Sequence, residues 1–318
     1  MNRKDRYRDL YTSQVDAIPV FHSPWWLDTV CGADNWDVCL VEDEQGISGY
    51  LPYYKSARFF SQWLIMPPLT AYLGPNLPGK QQSGKNRLNQ EKKVYTELIR
   101  QLPRYGFFNQ SFSPAVQNWL PFYWGGFRQT TRYTYCIPSG QSPDDVWENF
   151  EGRVRNDIRK ARDKFSLEAV ESVDIDTFYS INEKVYSRKG RKIPYSLPFL
   201  QDLDAECIRN DARTMLFAND TNGQIHAAVY IVRDRKCSYY LMGGNHPALQ
   251  ESGGNTLLLW EAIRRSLADN RDFDFEGSML PGIEKHYRGF NAVQTPYFRV
   301  YRARPLLLRL LIAMRHGY

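Results

Sequence analysis

Residues 272–292 read DFDFEGSMLPGIEKHYRGFNA, and chemistry is most densely suggested there. Asp272, Asp274 and Glu276 alternate with Phe273 and Phe275. In an extended strand of period two, the three carboxylates share one face and the two rings bury the other. Neighbouring carboxylates raise one another's pKa, and perturbed carboxylates gather where protons are moved. Gly277, Pro281 and Gly282 interrupt the strand, and a basic and aromatic cluster follows: Lys285, His286, Tyr287, Arg288 and Phe290. The pattern fits a proton-transfer site facing basic residues across a turn. It also fits a solvated strand edge with a satisfied turn, and spacing alone leaves both open.

The chain that must hold these residues has 318 positions, long for one domain and comfortable for two. It is 42% hydrophobic, enough for a sizeable core. Cys31, Cys39, Cys136, Cys207 and Cys237 are scattered and form no CxxC pair, and no HExxH occurs. Neither a zinc site nor a disulfide framework is indicated, no metal is expected, and a reducing cytoplasm is the expected location. The start, MNRKDRYRDLY, lacks the apolar core of a signal peptide. The longest apolar run, residues 306–314, is interrupted by Arg309 and is too short to span a bilayer. The net charge of +6 is unevenly spread. Residues 153–164 carry six basic side chains against Asp157 and Asp163, and residues 184–192 carry five with no acid. Residues 285–318 carry seven, again with no acid. Such runs suit phosphate-bearing partners or an anionic surface, and equally an ordinary solvated face.

Hydrophobic periodicity places helices at 144–164, 174–187, 197–209 and 255–268, with a short one at 283–288. Strands fall at 166–170, 214–219, 224–233, 236–243, 273–276 and 296–302, the DTNG sequence at 220–223 marking a hairpin. The first half reads as helix 24–30, strands 36–42, 49–54 and 62–66, a polar loop 80–90 and helix 91–101. Strand 106–112, helix 114–120 and strand 128–137 complete it. The first half repeats the element order of the second with its opening elements trimmed, which points to two copies of one fold. Domains of 1–140 and 141–318 are expected.

That order resembles the GNAT N-acyltransferase superfamily, and two copies in tandem resemble its Fem-type subgroup. Residues 154–161, VRNDIRKA, look like the Arg-x-x-Ile-Arg-Lys-Ala segment that opens the second domain in those proteins. Phe275-Glu276-Gly277-Ser278, then Gly282-Ile283 and Arg288-Gly289-Phe290-Asn291-Ala292, look like their closing segment, with Asn291 in place of a glycine. The Trp25-Trp26 pair after Ser23-Pro24 is similar to their first domain. The resemblance implies an α+β fold of two tandem GNAT-like (acyl-CoA N-acyltransferase) domains, each a central mixed sheet flanked by helices. It also implies acyl or aminoacyl transfer onto an amine of a bacterial cell-envelope precursor, such as one for peptidoglycan, or a related small acceptor. Fem-type members take the aminoacyl group from tRNA. CoA-dependent members carry Arg/Gln-x-x-Gly-x-Gly/Ala before the long helix, where N–H groups hold the pyrophosphate. Here Gln250-Glu251-Ser252-Gly253-Gly254-Asn255 stands in that place with different spacing. Acyl-CoA and aminoacyl-tRNA both stay open as co-substrate, and no tightly bound cofactor is expected.

Acyl transfer needs a neutral amine, a stabilised oxyanion and a protonated leaving group. Asp274 and Glu276 are the candidate bases and Tyr287 the candidate proton donor. N–H groups after Gly243 and Gly244 are candidate oxyanion donors, and Gly253, Gly254 and Asn255 complete the candidate donor loop. Arg159, Lys160, Lys285 and Arg288 are candidates for phosphate, and Trp26 and Tyr240 for lining a substrate groove. At least one tryptophan of the 25–26 pair is expected in the core. Residues 305–318, rich in leucine with spaced arginines, read as an amphipathic helix. It would either pack on the core or make peripheral contact with anionic membrane at its inner face, where a lipid-linked acceptor would lie. Partners are then a small or lipid-linked amine and a tRNA, with no DNA, since no DNA-binding motif appears. The alternative is a catalytically idle tandem GNAT module that binds a phosphorylated ligand or tRNA.

Overall fold

The computed structural model describes residues 2–44, 46–58, 61–79 and 84–304. From the start the chain forms α1 (Arg3–Ser13), α2 (Pro24–Cys31), β1 (Trp36–Asp43), β2 (Gly46–Arg58), β3 (Ser61–Ile65), α3 (Gly84–Gln101), β4 (Phe107–Ser111), α4 (Leu120–Trp124) and β5 (Arg128–Ile137). Then come α5 (Pro143–Glu148), α6 (Gly152–Arg159), β6 (Glu168–Glu171), α7 (Ile175–Arg188), α8 (Leu197–Arg209), β7 (Arg213–Asn219), β8 (Ile225–Arg233) and β9 (Cys237–Asn245). The chain closes with α9 (Gly254–Ala268), β10 (Asp272–Asp274), α10 (Pro281–Arg288) and β11 (Val293–Ala303).

Residue contacts divide the chain into two units, Met1–Arg132 with Pro296–Tyr318, and Tyr133–Thr295. Each is α+β with a mixed sheet and flanking helices. In the first, the strand order is β1-β2-β3-β4-β11, antiparallel except for the parallel pair β3–β4. In the second, it is β5-β10-β9-β8-β7-β6, antiparallel except for the parallel pair β10–β9. The division differs from the expected 1–140 and 141–318. The second unit takes the end of β5, and the last strand returns to the first unit.

Four elements depart from the sequence reading for identifiable reasons. The expected helix 144–164 is two, α5 and α6, followed by a π-helical turn at Lys160–Lys164. The break lets Phe150 plug the core, with its ring 5.1 Å from both Trp260 and Phe290. The expected loop 80–90 is helical from Gly84, while 80–83 lie outside the described residues. The first turns of α3 expose polar side chains, and its buried apolar face starts only at Val94, so periodicity is silent there. The expected helix 114–120 is replaced by α4, which begins at Leu120. Helix α1 has no apolar signature beyond buried Tyr7 and Leu10, yet an Asn2–Asp5 capping box starts it. The C-terminal segment 305–318 lies outside the described residues.

The position of Gly253 and the burial of the turns after it explain how α9 is seated. Its N-cap Gly253 adopts φ +77°, and a Cβ there would meet the Asp157 carbonyl of α6 at 2.3 Å. Most of the next two turns are buried, including Leu257, Leu258, Leu259 and Trp260, against β7, β8 and α6. Contact burial of this kind holds far more helix than propensity does.

Candidate active site

The site begins where β10 ends. Phe273 and Phe275 are buried in the core under α9, as the alternation requires. On the other face, the Asp272 carboxylate accepts the Ser139 N–H at 2.7 Å, which ties β10 to the end of β5. Asp274 is 3% exposed. Its Oδ1 accepts the Thr134 hydroxyl and, at 2.7 Å, the Glu276 N–H. That second bond folds the chain back on itself, so β10 stops at Asp274 instead of running to 276. Glu276 lies at φ +56°, a region that non-glycine residues enter at a cost of about 1–2 kcal/mol. Gly277 follows at φ +67°, and a Cβ there would strike the Tyr133 carbonyl at 2.2 Å. Glu276 is therefore placed by a turn and not, as the sequence reading had it, by the strand face it was expected to share with Asp274.

The consequence is electrostatic. Glu276 is partly exposed as a residue, but its Oε1 is out of solvent and has no hydrogen-bond partner. Burial, reinforced by the Asp274 carboxylate, raises its pKa well above the ordinary glutamate range. Tyr287 on α10 stacks on Phe275, with centroids 4.7 Å apart, and meets Tyr240 edge-on at 6.4 Å. Burial holds its phenol protonated far beyond neutral pH, and Tyr240, Glu276 and Asp274 add to the effect. A carboxyl whose pKa is raised and a tyrosine that keeps its proton thus influence one another at the open end of β10. The Tyr240 hydroxyl is 3.3 Å from Asn255 Oδ1, while the Asn255 N–H donates to Asn245 Oδ1 at 2.9 Å.

Strand β9 supplies the floor. Its pairing to β10 ends at Tyr239, although β9 runs to Asn245, so backbone groups beyond Tyr239 have no strand partner on that side. A bulge falls at Leu241, where Met242 faces Tyr230 and Tyr240 faces Ile231. The bulge turns Tyr240 into the core beneath α9 and Met242 toward Tyr195 on the other face. Gly243 lies against the Ala228 carbonyl and Gly244 against Val185 of α7, so both glycines serve close packing.

The helix that would receive a pyrophosphate is already capped. The Gly254 N–H reaches Ser252 Oγ at 3.3 Å, the Asn255 N–H is held by Asn245, and the Leu257 N–H bonds to the Gly253 carbonyl. Gly253 is needed for its contact with Asp157. Two of the first N–H groups of α9, those of Gly254 and Asn255, therefore already have acceptors inside the protein and would have to give them up to hold a CoA phosphate.

The remaining sequence candidates separate. Trp26 is fully buried in the first unit, with its Nε1 on Thr70 Oγ1 at 3.0 Å. It is core and not a groove residue, which corrects the expectation. Tyr240 is 9% exposed and belongs to the core wall behind the site. Arg159 is exposed on α6 over the Trp147 ring, and Lys160 lies over Phe165. Arg288 is paired with Glu284 at 3.0 Å and Glu151 at 3.6 Å, whereas Lys285 is exposed and its carbonyl accepts from Arg153. His286 packs against Phe290, and burial lowers its pKa. Thr134, Asn245 and Ser252 were missed by sequence reasoning. Asn and Ser close before an apolar helix were a cap signal that could have found the last two. Among the described residues, no group of three or more His, Cys, Asp or Glu could hold a metal ion.

Residues 149–288 match the family profile described as an acetyltransferase (GNAT) domain. That match covers most of the second unit. No curated protein sequence matches the chain. Among solved structures, FemX is 10% identical with a TM-score of 0.66, over 94% of this chain and 96% of that one. The C-terminal domain of a protein described as a lysylphosphatidylglycerol synthetase of Agrobacterium fabrum is 12% identical with a TM-score of 0.54, over 99% and 95%. L-PGS of Bacillus licheniformis is 11% identical with a TM-score of 0.51, over 88% of each chain. These likenesses are of fold. The chain has the fold of Fem-type tandem GNAT proteins, and the profile that it matches over residues 149–288 is that of an acetyltransferase domain. The match ends at Arg288, so the profile includes Asp274, Glu276 and Tyr287.

Proposed function

We propose that this protein is an aminoacyltransferase that moves an aminoacyl group from a tRNA ester onto an amine of a cell-envelope precursor. The observation that carries the reading is Glu276, a carboxyl with a solvent-free, unpartnered Oε1 and a raised pKa beside Tyr287. A carboxylate whose pKa is raised by burial and by a neighbouring carboxylate is a stronger base than an ordinary glutamate. The amine nitrogen bonds to the acyl carbon as Glu276 takes its proton. The ester C–O bond breaks as Tyr287 gives its proton to the leaving ribose oxygen. Glu276 then returns a proton to Tyr287, so the step balances without a further reactant. Backbone N–H groups of β9 beyond Tyr239 are the candidate oxyanion donors.

The capped start of α9 favours an RNA ester over a CoA thioester as donor. The fold likeness to FemX and to L-PGS agrees with an envelope acceptor.

Two measurements test this. Aminoacyl-tRNA should raise the melting temperature by mass action while acetyl-CoA and free CoA leave it in place. A shift with CoA thioesters alone would remove the RNA donor. With aminoacyl-tRNA and an amine-bearing peptidoglycan precursor, Glu276→Gln should lower turnover by about 10²–10⁴-fold with the fold intact. Undiminished turnover in both Glu276→Gln and Asp274→Asn would remove these carboxylates as the base, whereas no turnover by the native chain would leave the idle binding module.

A further inference from the structure

Of the Phe, Tyr and Trp side chains among the described residues, only two are exposed, and they are neighbours on α4: Tyr123 at 52% and Trp124 at 58%. α4 has five residues, too few to stand as a helix by its own hydrogen bonds. It is held by Pro121 and Phe122, both buried. The Phe122 ring lies 4.8 Å from Phe112, 5.3 Å from Phe127 and 6.2 Å from Tyr95 of α3. With that ring fixed in the core, Leu120 is left 48% exposed beside Tyr123 and Trp124. α3 extends the surface. Lys92 Nζ lies 5.4 Å from the centre of the Trp124 ring, and Leu88, one turn before Lys92 on the same helix face, is 57% exposed. Water is a poor solvent for such a group, and exposed apolar patches of this kind mark contact surfaces.

The charge around this surface has one sign. α3 carries two carboxylates, and both are matched, Glu91 by Arg87 and Glu97 by Arg100, each at 2.8 Å. Lys85, Lys92 and Lys93 of the same helix are exposed, and none is in an ion pair among the described residues. From residue 98 to residue 143 the sequence has no Asp or Glu, so neither α4 nor the chain on either side of it offers an acid. Arg302 of β11 reaches the end of α4, with its guanidinium carbon 3.6 Å from where a Gly126 Cβ would lie and 5.4 Å from the centre of the Phe127 ring.

We propose that this face of α4, with Leu88 and Lys92 of α3, rests on an anionic lipid bilayer at the level of the headgroups. Tryptophan and tyrosine prefer that depth, where an apolar ring body meets lipid and a polar tip stays wet. A lysine beside them covers apolar surface with its stem while its ammonium meets lipid phosphate. The two leucines decide between lipid and nucleic acid. A single-stranded nucleic acid would stack on the rings and pair with the cations, but it offers exposed leucines no partner. A bilayer takes all four apolar side chains and the charge together. No helix among the described residues is long and apolar enough to cross a membrane, so the contact is peripheral and reversible. The surface goes beyond the transferase reading and stands without it, since α4 belongs to the first unit and lies outside the residues that match the GNAT profile.

Co-sedimentation of the full chain with vesicles tests it, using phosphatidylglycerol and phosphatidylcholine in equal parts against phosphatidylcholine alone. The native chain should bind the anionic vesicles more tightly, and added salt should weaken that preference. Tyr123→Ser with Trp124→Ser should weaken binding to the anionic vesicles by about tenfold or more, since two interfacial rings are lost. Lys92→Glu should weaken it by about fivefold or more, through loss of one cation and gain of a like charge. Because these side chains are exposed, each variant should keep the native urea midpoint, which separates lost binding from lost folding. No binding by the native chain, or binding that survives the loss of both rings, would overturn the proposal. An equal loss with Arg191→Glu, an exposed cation of the second unit, would reduce the attraction to net charge and overturn it as well. So would a dimer that the ring substitutions dissociate, which would give the face to a second copy of this chain, or a short RNA that binds through the rings in place of vesicles.

Discussion

At the scale of single residues, two carboxylates one turn apart do different work. Asp274 is spent on structure, gripping Thr134 and the Glu276 N–H. Glu276 is left with an oxygen that nothing inside the protein satisfies. A buried acceptor without a partner costs stability, and such costs persist where function requires them. The folded chain holds the Glu276 proton at pH values where the unfolded chain, with an ordinary glutamate, releases it. The stability it contributes is thus full below the ordinary glutamate pKa and is lost as pH rises through the raised one. Glu276→Gln should therefore melt at a higher temperature than the native chain at pH 7–8, and its melting temperature should fall less steeply above the ordinary glutamate range. Parallel curves for the two proteins would mean that this carboxyl titrates like a surface group. Transfer should run the other way, rising with pH as the base form appears. The alternation of Asp and Phe was legible, and Phe273 and Phe275 are where it puts them. The position of Glu276 was not, because the Asp274 side chain ends the strand that period-two counting extends.

At the scale of elements, the Gly253-Gly254 pair shows how one motif supports two explanations until its neighbours are known. From sequence it could serve a phosphate or a tight helix start. The structure puts the Asp157 carbonyl where a Gly253 side chain would be and gives the first N–H groups of α9 to Ser252 and Asn245. Gly253→Ala should lower the urea midpoint, by an amount equivalent to about 1–3 kcal/mol, through left-handed backbone strain and the clash together. Gly282→Ala, in exposed α10 with nothing within 4 Å of the added methyl, is the control. It should be neutral or stabilising by roughly 0.5–1 kcal/mol. Equal effects at the two positions would refute the packing account of Gly253. The bulge at Leu241 is the other element-scale feature that sequence did not disclose. It has no residue signature here, being set by the register that β8 imposes on β9.

At the scale of the molecule, the path of the chain matters more than the repeat of element order. The split expected at 140/141 assumed that each copy is continuous. Instead β5 carries the chain into the second unit and β11 returns it to the first. β10 needs β5 beside it, since Asp274 is in register with Cys136 and bonded to Thr134. A fragment of residues 128–295 should therefore fold cooperatively, whereas residues 141–318 should not, as judged by near-ultraviolet circular dichroism and urea unfolding. Cooperative unfolding of the second fragment would restore the continuous division.

Periodicity and turn chemistry were enough to reveal two α+β copies and most of their elements. Helix α8 and strand β5 stand where they were read, at 197–209 and 128–137, because a buried stripe or a clean alternation is written locally in each. The chain composition likewise shows which stretches are basic. Tertiary structure alone decided that Trp26 is core, that Glu276 turns out of the strand, that α9 is capped from within, and that β11 crosses back. Each depends on what lies across a contact from residues distant in sequence, and a one-dimensional pattern carries no record of that partner.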